Sequence, residues 1–287
     1  MINNEKKRIS PNETREMQQV ILGILKAIDK VCREHHLRYY MIAGTMLGAV
    51  RHHGFIPWDD DADVALPRKD YEVLCRHANE WLPEGYELVS FQLDKSYPYN
   101  FARIQDERTT YILRRAFNFV GGVPVDVFPL DGMTDCKWKR ILHYKRYKIL
   151  TQLKYYGMRD PFKHGKRIDC LFFILCHKLL PIHWLQARID RLQQAYDWDK
   201  SALVADHDNA PSRGILPKEV YGEPVSYAFE DTRLLGVANP DAYLSYCYGD
   251  YMTKPKSVPP QNFRLLDLKK PYREWLREHQ MHTTSRS

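Results

Sequence analysis

Residues 39–66 read YYMIAGTMLGAVRHHGFIPWDDDADVAL, and this stretch decides the fold class. The apolar segment Arg38 to Ala43 predicts a short strand that ends at Gly44-Thr45. A short helix and a turn at His53-Gly54 follow. Asp61 to Leu66 then alternates acidic and apolar residues, which is typical of a second strand. Two strands separated by a helix, with acidic residues at the start of the second, indicate a sheet with helices packed on it.

The flanking residues extend this pattern. Ser10-Pro11-Asn12-Glu13 is a capping box that predicts the start of a helix with one buried face. Pro67 to Leu82 also reads as a helix. Further strands are predicted at Tyr86–Gln92, Tyr99–Gln105 and Val123–Phe128. This order predicts an α+β fold, with a mixed sheet and flanking helices.

The pattern changes near residue 133. Long helical segments rich in Lys, Arg, Tyr and Leu run from about Thr134 to Lys200, and a proline-rich, irregular region follows. We therefore predict a core over residues 1–133 and a helical, basic second part over residues 134–287. The second part is expected to pack on the core and to complete the substrate site.

Composition restricts the class of protein. The chain has 287 residues, 44% of them hydrophobic, so it can bury a full core. Its six cysteines form no Cys-x-x-Cys pair, which argues against a local zinc site and a disulfide framework. Neither a signal peptide nor a spanning helix is predicted, and we expect a cytoplasmic protein.

Four of the five residues from Asp59 to Asp63 are carboxylates. Their mutual repulsion is costly unless a cation lies among them. On a strand, Asp61 and Asp63 face the same side, and Asp59 follows them. A solvated acidic loop is the alternative; a calcium loop is excluded because Val64 stands where glycine is needed. The apolar flanks favour a metal site with Asp61 and Asp63 as Mg²⁺ ligands.

Gly44 and Thr45 follow the first strand, where backbone N–H groups can approach a phosphate closely. A tight turn is the alternative, but the pairing with the Asp-x-Asp strand favours a substrate-binding role. This arrangement is that of a nucleotidyltransferase-type active site, which usually takes a third carboxylate from a neighbouring strand. Asp126, alone in the apolar run Val123 to Phe128, supplies it. Its alternative role is a buried ion pair with an arginine.

Arg51 and Arg103 are the cationic candidates for binding phosphoryl oxygens. Arg51 lies between Gly44 and the acids, and Arg103 lies in a predicted strand. A structural pair with a nearby acid is the alternative for each. Asp131, in contrast, lies in a Leu-Asp-Gly sequence that predicts an ordinary turn.

These residues resemble the signature of the LicD family, which includes fukutin and fukutin-related protein. The resemblance rests on residues 41–66 and on three later stretches, FARIQDERT at 101–109, VDVFPLDG at 125–132 and YGDYM at 248–252. It implies a nucleotidyltransferase-like fold, a Mg²⁺-dependent reaction, and metal and catalytic roles for Asp61, Asp63 and Asp126. Arg103 stands where many members have lysine, which keeps the charge.

The resemblance also implies an activity. It is the transfer of phosphocholine, or a related alcohol phosphate, from a CDP-activated donor such as CDP-choline to a hydroxyl of a cell-surface glycan. Lipopolysaccharide and teichoic acid are such acceptors. Two alternatives stay open: a true nucleotidyltransferase acting on RNA or a small molecule, and a non-catalytic metal-binding module. No nucleic-acid partner is expected, because the basic residues lie far in sequence from the acids.

Those basic residues suggest a further partner. Residues 137–167 hold eleven Lys or Arg side chains against one acid, interleaved with aromatic residues, and the apolar stretch Cys170 to Leu185 follows. This pattern predicts peripheral contact of residues 137–185 with the inner membrane face, where a lipid-linked glycan acceptor would lie. The alternative is that the apolar side chains pack on the core and the lysines form a solvated face.

Overall fold

The structure, a computed structural model, describes residues 9–113, 119–158, 174–175, 179, 181–255, 261 and 263–284. Within these ranges a large mixed sheet is flanked by helices, as predicted. The helices are α1 (Pro11–Glu34), α2 (Ala43–His52), α3 (Arg68–Trp81), α4 (Lys137–Met158), α5 (Ile182–Gln193), α6 (Pro211–Gly214), α7 (Lys218–Tyr221), α8 (Pro240–Tyr248) and α9 (Tyr272–Thr284). The strands are β1 (Tyr40–Met41), β2 (Asp63–Pro67), β3 (Tyr86–Val89), β4 (Ala102–Leu113), β5 (Val120–Met133), β6 (Leu203–Ala205), β7 (Ile215–Pro217), β8 (Val225–Phe229), β9 (Thr232–Gly236) and β10 (Phe263–Asp267).

Helix α1 begins at the predicted capping box. The Ser10 hydroxyl accepts a hydrogen bond from the backbone N–H of Glu13, and the Glu13 carboxylate accepts one from the N–H of Ser10. Such a cap stabilises a helix by about 1 kcal/mol. The apolar face of α1 is fully buried, with Met17 and Ile28 near its two ends. This helix packs across β4, β5 and β9 and joins them into one core.

The sheet places the acidic segment beside the strand that contains Asp126. Its strand order is β10-β4-β5-β2-β1-β9-β8, with β3 added to β4 and the short pair β6-β7 added to β5. Strands β2 and β5 are parallel, and Asp63 is the register partner of Asp126. Strand β4 is antiparallel to β5 and places Arg103 opposite Asp126. Three separate stretches of sequence therefore lie side by side on adjacent strands, with Asp126 between Asp63 and Arg103.

Several predicted boundaries differ from the structure. Strand β1 has only two residues, because its pairing with β2 and β9 is confined to Tyr40 and Met41. Strand β2 begins at Asp63, so Asp61 precedes the strand. The turn predicted at Asp131 is wrong: this residue lies within β5, pairs with Ala205 of β6 and is buried.

The second part of the chain is more ordered than its prolines suggest. The region predicted to be irregular contains short strands and helices between Leu203 and Tyr248. These elements span three to nine residues, too few to show a periodicity in the sequence. Strands β9 and β10 pair with β1 and β4, so the second part extends the sheet of the first. The division at residue 133 stays a prediction.

Helix α4 packs against α5 and leaves most of its surface exposed. Within α4 only His143 and Gly157 are buried, and its other residues are partly or fully exposed. Half of the residues in the predicted apolar stretch Cys170 to Leu185 lie outside the described residues, as do residues 159–169. Within the described part of the chain, we find no helix with the length and hydropathy needed to span a membrane.

Candidate active site

The acidic segment lies between α2 and β2 and is held from two sides. The side-chain amide of Gln18, a buried residue of α1, donates hydrogen bonds to the carbonyls of Ile56 (3.2 Å) and Asp59 (3.0 Å). The Thr45 hydroxyl accepts a hydrogen bond from the backbone N–H of Asp63 at 2.8 Å. Thr45, predicted to bind substrate, therefore fixes the backbone of a predicted metal ligand. Its contact with substrate stays a prediction.

Gly44 lies in the first turn of α2, directly against Asp59. A β-carbon at this position would lie 2.8 Å from Oδ2 of Asp59, closer than a side chain tolerates. The absence of a side chain therefore lets the Asp59 carboxylate approach the beginning of α2, where the helix dipole favours a negative charge. Phosphate binding by Gly44 stays a prediction.

Three carboxylates of the acidic segment converge. Asp59, Asp60 and Asp61 each offer one oxygen, and these oxygens lie within 4.8 Å of one another. The predicted metal ligands were Asp61, Asp63 and Asp126. The structure groups Asp61 with its two preceding acids and places Asp63 beside Asp126.

The pKa values show that the two groups share one electrostatic environment. Burial and the neighbouring Asp60 carboxylate raise the pKa of Asp59 to about 6. Desolvation and the charges of Asp59, Asp60 and Asp126 raise the pKa of Asp61 well above its usual range. The Asp61 side chain is exposed to solvent, so the like charges around it are the main cause of its raised pKa. Burial, followed by the charges of Asp61 and Asp126, likewise raises the pKa of Asp63.

This donor set fits a hard divalent cation. Carboxylate oxygens are the ligands that Mg²⁺ prefers, and a bound cation would relieve the repulsion that raises these pKa values. Asp61 and Asp63 could hold the ion, and Asp59 and Asp60 offer oxygens close by. The sequence pattern did not single out Asp60, because alternation along a strand would point it away from Asp59 and Asp61. The segment is not a strand before Asp63, so that alternation does not apply.

Asp126 forms an ion pair with Arg103, which is the alternative that the sequence analysis gave for this residue. Arg103 Nε lies 2.6 Å from Asp126 Oδ1, and Arg103 Nη2 lies 3.2 Å from Asp126 Oδ2. The guanidinium is buried and stacks over Tyr99, 4.4 Å from the ring centroid. Each carboxylate oxygen keeps a second lone pair, so the ion pair positions Asp126 without excluding a contact with substrate or metal. The catalytic role of Asp126 and the substrate contact of Arg103 stay predictions.

Arg51 makes no ion pair within the described part of the chain. Its Nη1 donates a hydrogen bond to the carbonyl of Tyr251 at 2.6 Å, and its Nε lies 3.0 Å from Nε2 of His52. Arg51 therefore joins the end of α2 to the 248–252 segment. Tyr248, in that segment, interacts electrostatically with Asp59, Asp61 and Asp63.

A further acidic segment approaches from the second part of the chain. Asp206 follows β6, is buried and interacts electrostatically with Asp63. Asp208 interacts in the same way with Asp126 and Lys154. The Lys154 ammonium donates hydrogen bonds to Asn100 Oδ1 (2.7 Å) and to the carbonyl of Pro98 (3.2 Å). No local motif marks these residues, because only the pairing of β6 with β5 brings them to the site.

The comparison with protein families matches residues 36–154 to the nucleotidyltransferase domain described as LicD/FKTN/FKRP. All seven predicted site residues lie inside this match. They are Gly44, Thr45, Arg51, Asp61, Asp63, Arg103 and Asp126.

Relatives extend the similarity beyond that domain. The chain is 28% identical over 252 residues to the lipopolysaccharide cholinephosphotransferase LicD of Haemophilus influenzae, covering 84% of this chain and 92% of the relative. It is also 26% identical over 159 residues to an uncharacterized protein of Rickettsia prowazekii, covering 55% of each. An uncharacterized protein of Rickettsia typhi is 32% identical over 155 residues, covering 54% of this chain and 45% of the relative. Residues 36–154 are therefore similar to the LicD/FKTN/FKRP nucleotidyltransferase domain, and the similarity to the Haemophilus influenzae relative extends over most of the chain.

Proposed function

We propose that this chain transfers phosphocholine, or a closely related alcohol phosphate, from a CDP-activated donor to a hydroxyl of a cell-surface glycan. Lipopolysaccharide is the acceptor suggested by the name of the Haemophilus influenzae relative, and teichoic acid is a second candidate. The observation that supports the proposal most is the crowding of carboxylates at Asp59–Asp63 beside Asp126, inside the matched domain. A donor diphosphate with a divalent cation would complement that charge.

In this proposal Asp61 and Asp63 hold Mg²⁺, and Asp59 and Asp60 lie near enough to share in binding it. When bound, Mg²⁺ neutralises charge on the donor's diphosphate and on the departing CMP. Asp126 is proposed as an additional ligand or as the group that orients the acceptor hydroxyl. Arg103 fixes its carboxylate, and such fixed geometry is what transfer between two bound substrates requires.

The proposed reaction is a substitution at phosphorus. The acceptor hydroxyl oxygen forms a bond to the phosphorus that bears choline, and the bond from that phosphorus to the bridging oxygen breaks. CMP leaves with the bridging oxygen and its electron pair. The hydroxyl proton passes to Asp126, which returns it to solvent. The backbone around Gly44 and Thr45 and the guanidinium of Arg51 are proposed to contact the donor phosphates.

The experiment that tests this function incubates the purified protein with several CDP-alcohols and with bacterial lipopolysaccharide or teichoic acid, and measures CMP. We expect CMP release with CDP-choline or one related donor, dependent on Mg²⁺ and abolished in Asp61→Asn. No CMP release with any CDP-alcohol would contradict the proposal and favour a non-catalytic metal-binding module. Asp70→Asn is the matched control, because it removes an aspartate that pairs with Arg38 away from the acidic cluster.

We further propose that the protein works at the inner membrane face, held there by one side of α4. Trp138, Leu142, Lys145 and Ile149 follow an i, i+4, i+7, i+11 spacing and therefore share one face of the helix. Trp138 is 78% exposed, Leu142 50% and Ile149 60%. An exposed apolar stripe with a lysine within it is typical of a helix that inserts shallowly among anionic head groups.

Sedimentation with vesicles tests this location. We expect the protein to bind phosphatidylglycerol vesicles at low salt and to lose that binding in Trp138→Ser/Ile149→Ser. Leu93→Ser is the control, because Leu93 is about as exposed as Ile149 but lies outside α4. Vesicle binding by the double variant at the wild-type level would show that the stripe is not a membrane contact.

A further inference from the structure

A groove separates helix α4 from the 206–215 segment. It encloses about 760 Å³, within the range of sites for small molecules and cofactors. Five residues of α4 that line it follow an i, i+3, i+7, i+11, i+14 spacing and share a face beside the exposed stripe, whose Lys145 also lines the groove. They are Lys137, Arg140, Tyr144, Lys148 and Thr151.

The lining of the groove is strongly basic. Four cationic side chains contribute to it, and a single acid, Asp208, lies at the opposite wall. Within the described ranges, Lys137 and Lys148 form no ion pair. The Arg140 guanidinium donates to the backbone carbonyls of Thr134 and Asp135 and keeps its charge uncompensated by a carboxylate. A groove with this charge attracts an anionic ligand.

The floor of the groove is aromatic. The ring of His207 stacks on Tyr144 at 5.7 Å between centroids and lies 5.4 Å from the ring of Tyr147. His207 Nε2 lies 2.9 Å from Nε2 of the buried His143, and His207 Nδ1 lies 3.5 Å from Oδ2 of Asp131. His207 is therefore contacted by His143 and Asp131 on one side, and both tyrosines line the groove. Aromatic rings beside cationic side chains are suited to sugars that bear anionic groups.

The groove lies on the side of the sheet edge from which the chain leads towards the carboxylate cluster. Strand β6 runs antiparallel to β5, with Met133 opposite Leu203 and Asp131 opposite Ala205. The chain that leaves β6 therefore runs back along β5 towards Asp126. Asp208 lines the groove and interacts electrostatically with Asp126. A ligand in the groove can thus place one of its groups beside the cluster at Asp126.

We propose that this groove binds the acceptor, and that it recognises a glycan through phosphate or carboxylate groups on its sugars. The assignment rests on the proposed function, in which the donor's diphosphate occupies the acidic cluster and leaves the groove for the second substrate. Lys137, Arg140 and Lys148 contact the anionic groups, and Tyr144 and Tyr147 contact the sugar rings. A bare phosphate would leave most of the volume empty, so the ligand is larger than an inorganic ion.

The test compares two pairs of lysine or arginine substitutions on the same helix. Lys137→Gln/Lys148→Gln removes two charges from the groove. Lys139→Gln/Arg146→Gln removes two exposed charges that lie outside it. The probes are a deacylated, phosphorylated lipopolysaccharide oligosaccharide and the same oligosaccharide after removal of its phosphates, with binding measured by calorimetry at low and high salt.

We expect the groove variant to bind the phosphorylated probe about tenfold more weakly or worse, and the control variant to bind it as the wild type does. The dephosphorylated probe, which keeps its sugar carboxylates, should bind the wild type more weakly than the phosphorylated probe does, and its binding should differ less among the three proteins. CMP release from CDP-choline without acceptor should also be equal, since the donor does not occupy the groove. Unchanged binding of the phosphorylated probe by the groove variant would overturn the proposal. So would equal weakening in the control, or a loss confined to binding of phosphatidylglycerol vesicles.

Failure of the proposed function gives a different result. Wild-type protein that binds the phosphorylated probe through Lys137 and Lys148, but releases no CMP from any CDP-alcohol, would retain the groove as a glycan site. The transfer reaction would then be rejected.

Discussion

The substitution Asp126→Asn separates the structural role of this carboxylate, in its ion pair with Arg103, from the catalytic role that we propose for it. Asp126 accepts hydrogen bonds from Arg103 through both oxygens, and it lies in register with Asp63. A purely structural ion pair predicts lost stability with normal activity in each folded molecule. A catalytic carboxylate predicts lost activity as well.

The expected stability change follows from the surroundings of the pair. Removing one partner of a buried ion pair costs about 3–5 kcal/mol. Arg103 is almost completely buried, whereas the Asp126 side chain is 21% exposed, so the lower part of that range applies. Removing a charge beside Asp63 also relieves repulsion, on the order of 1 kcal/mol. We therefore expect the free energy of unfolding to fall by about 2–3 kcal/mol, which lowers the Tm by roughly 4–10 °C.

Turnover is then measured well below both melting temperatures, as CMP release per folded molecule. If Asp126 orients the hydroxyl and takes its proton, turnover falls by at least about a hundredfold. Asp70→Asn is the control: it removes a carboxylate that lies 2.8 Å from Nε of Arg38, and it should leave turnover unchanged. Wild-type turnover in Asp126→Asn would refute the catalytic role. An unchanged Tm would show that the ion pair does not stabilise the fold as expected.

Three further predictions concern the acidic cluster and the buried histidine pair. Asp61→Asn and Asp63→Asn should each abolish turnover. Neither should lower the Tm measured without metal, because each removes a like charge from a crowded site. Normal turnover of either variant at saturating Mg²⁺ would show that the substituted aspartate is not a metal ligand. Gly44→Ala should displace the Asp59 carboxylate, because the new β-carbon would lie 2.8 Å from Oδ2 of Asp59. Turnover should fall by about tenfold to a hundredfold with little change in Tm. Turnover equal to that of the wild type would show that Asp59 does not contribute to the reaction. Burial and the neighbouring imidazole lower the pKa of His143 from 6.5 to about 4, so below pH 6.5 the unfolded chain binds this proton more readily than the folded chain does. The contribution of His143 to stability is full above pH 6.5, and the free energy of unfolding therefore falls by up to about 3 kcal/mol as pH drops through this window. Chemical denaturation at pH 7 and pH 4.5 should show a smaller fall in His143→Gln than in the wild type.

The features that the sequence predicted are those with local patterns. The capping box at Ser10 begins α1 as expected, and the Asp-x-Asp segment lies beside the strand of Asp126. The partnership of Arg103 with Asp126 was expected only as an alternative, because no spacing in the sequence reports the register of β4 on β5. The register of β4 on β5 is what places Arg103 opposite Asp126.

The features that the sequence did not reveal depend on distant pairing. Asp206 and Asp208 reach the cluster only because β6 runs back along β5. Asp131 reads as a turn residue but is buried in β5, where it accepts hydrogen bonds from Arg68 at 2.6 and 2.7 Å. Leu-Asp-Gly has the composition of a turn, and the pairing of β5 with β6 overrides that local preference.

In the proposed reaction, the acceptor hydroxyl attacks the phosphorus that bears the alcohol. Mass spectrometry of a lipopolysaccharide oligosaccharide, incubated with the protein, Mg²⁺ and CDP-choline, shows which phosphorus is attacked. We expect phosphocholine attached to the oligosaccharide and free CMP in equal amounts, with neither product formed by Asp61→Asn. An oligosaccharide that carries CMP, with phosphocholine released to solution, would refute this reaction and identify a true nucleotidyltransferase.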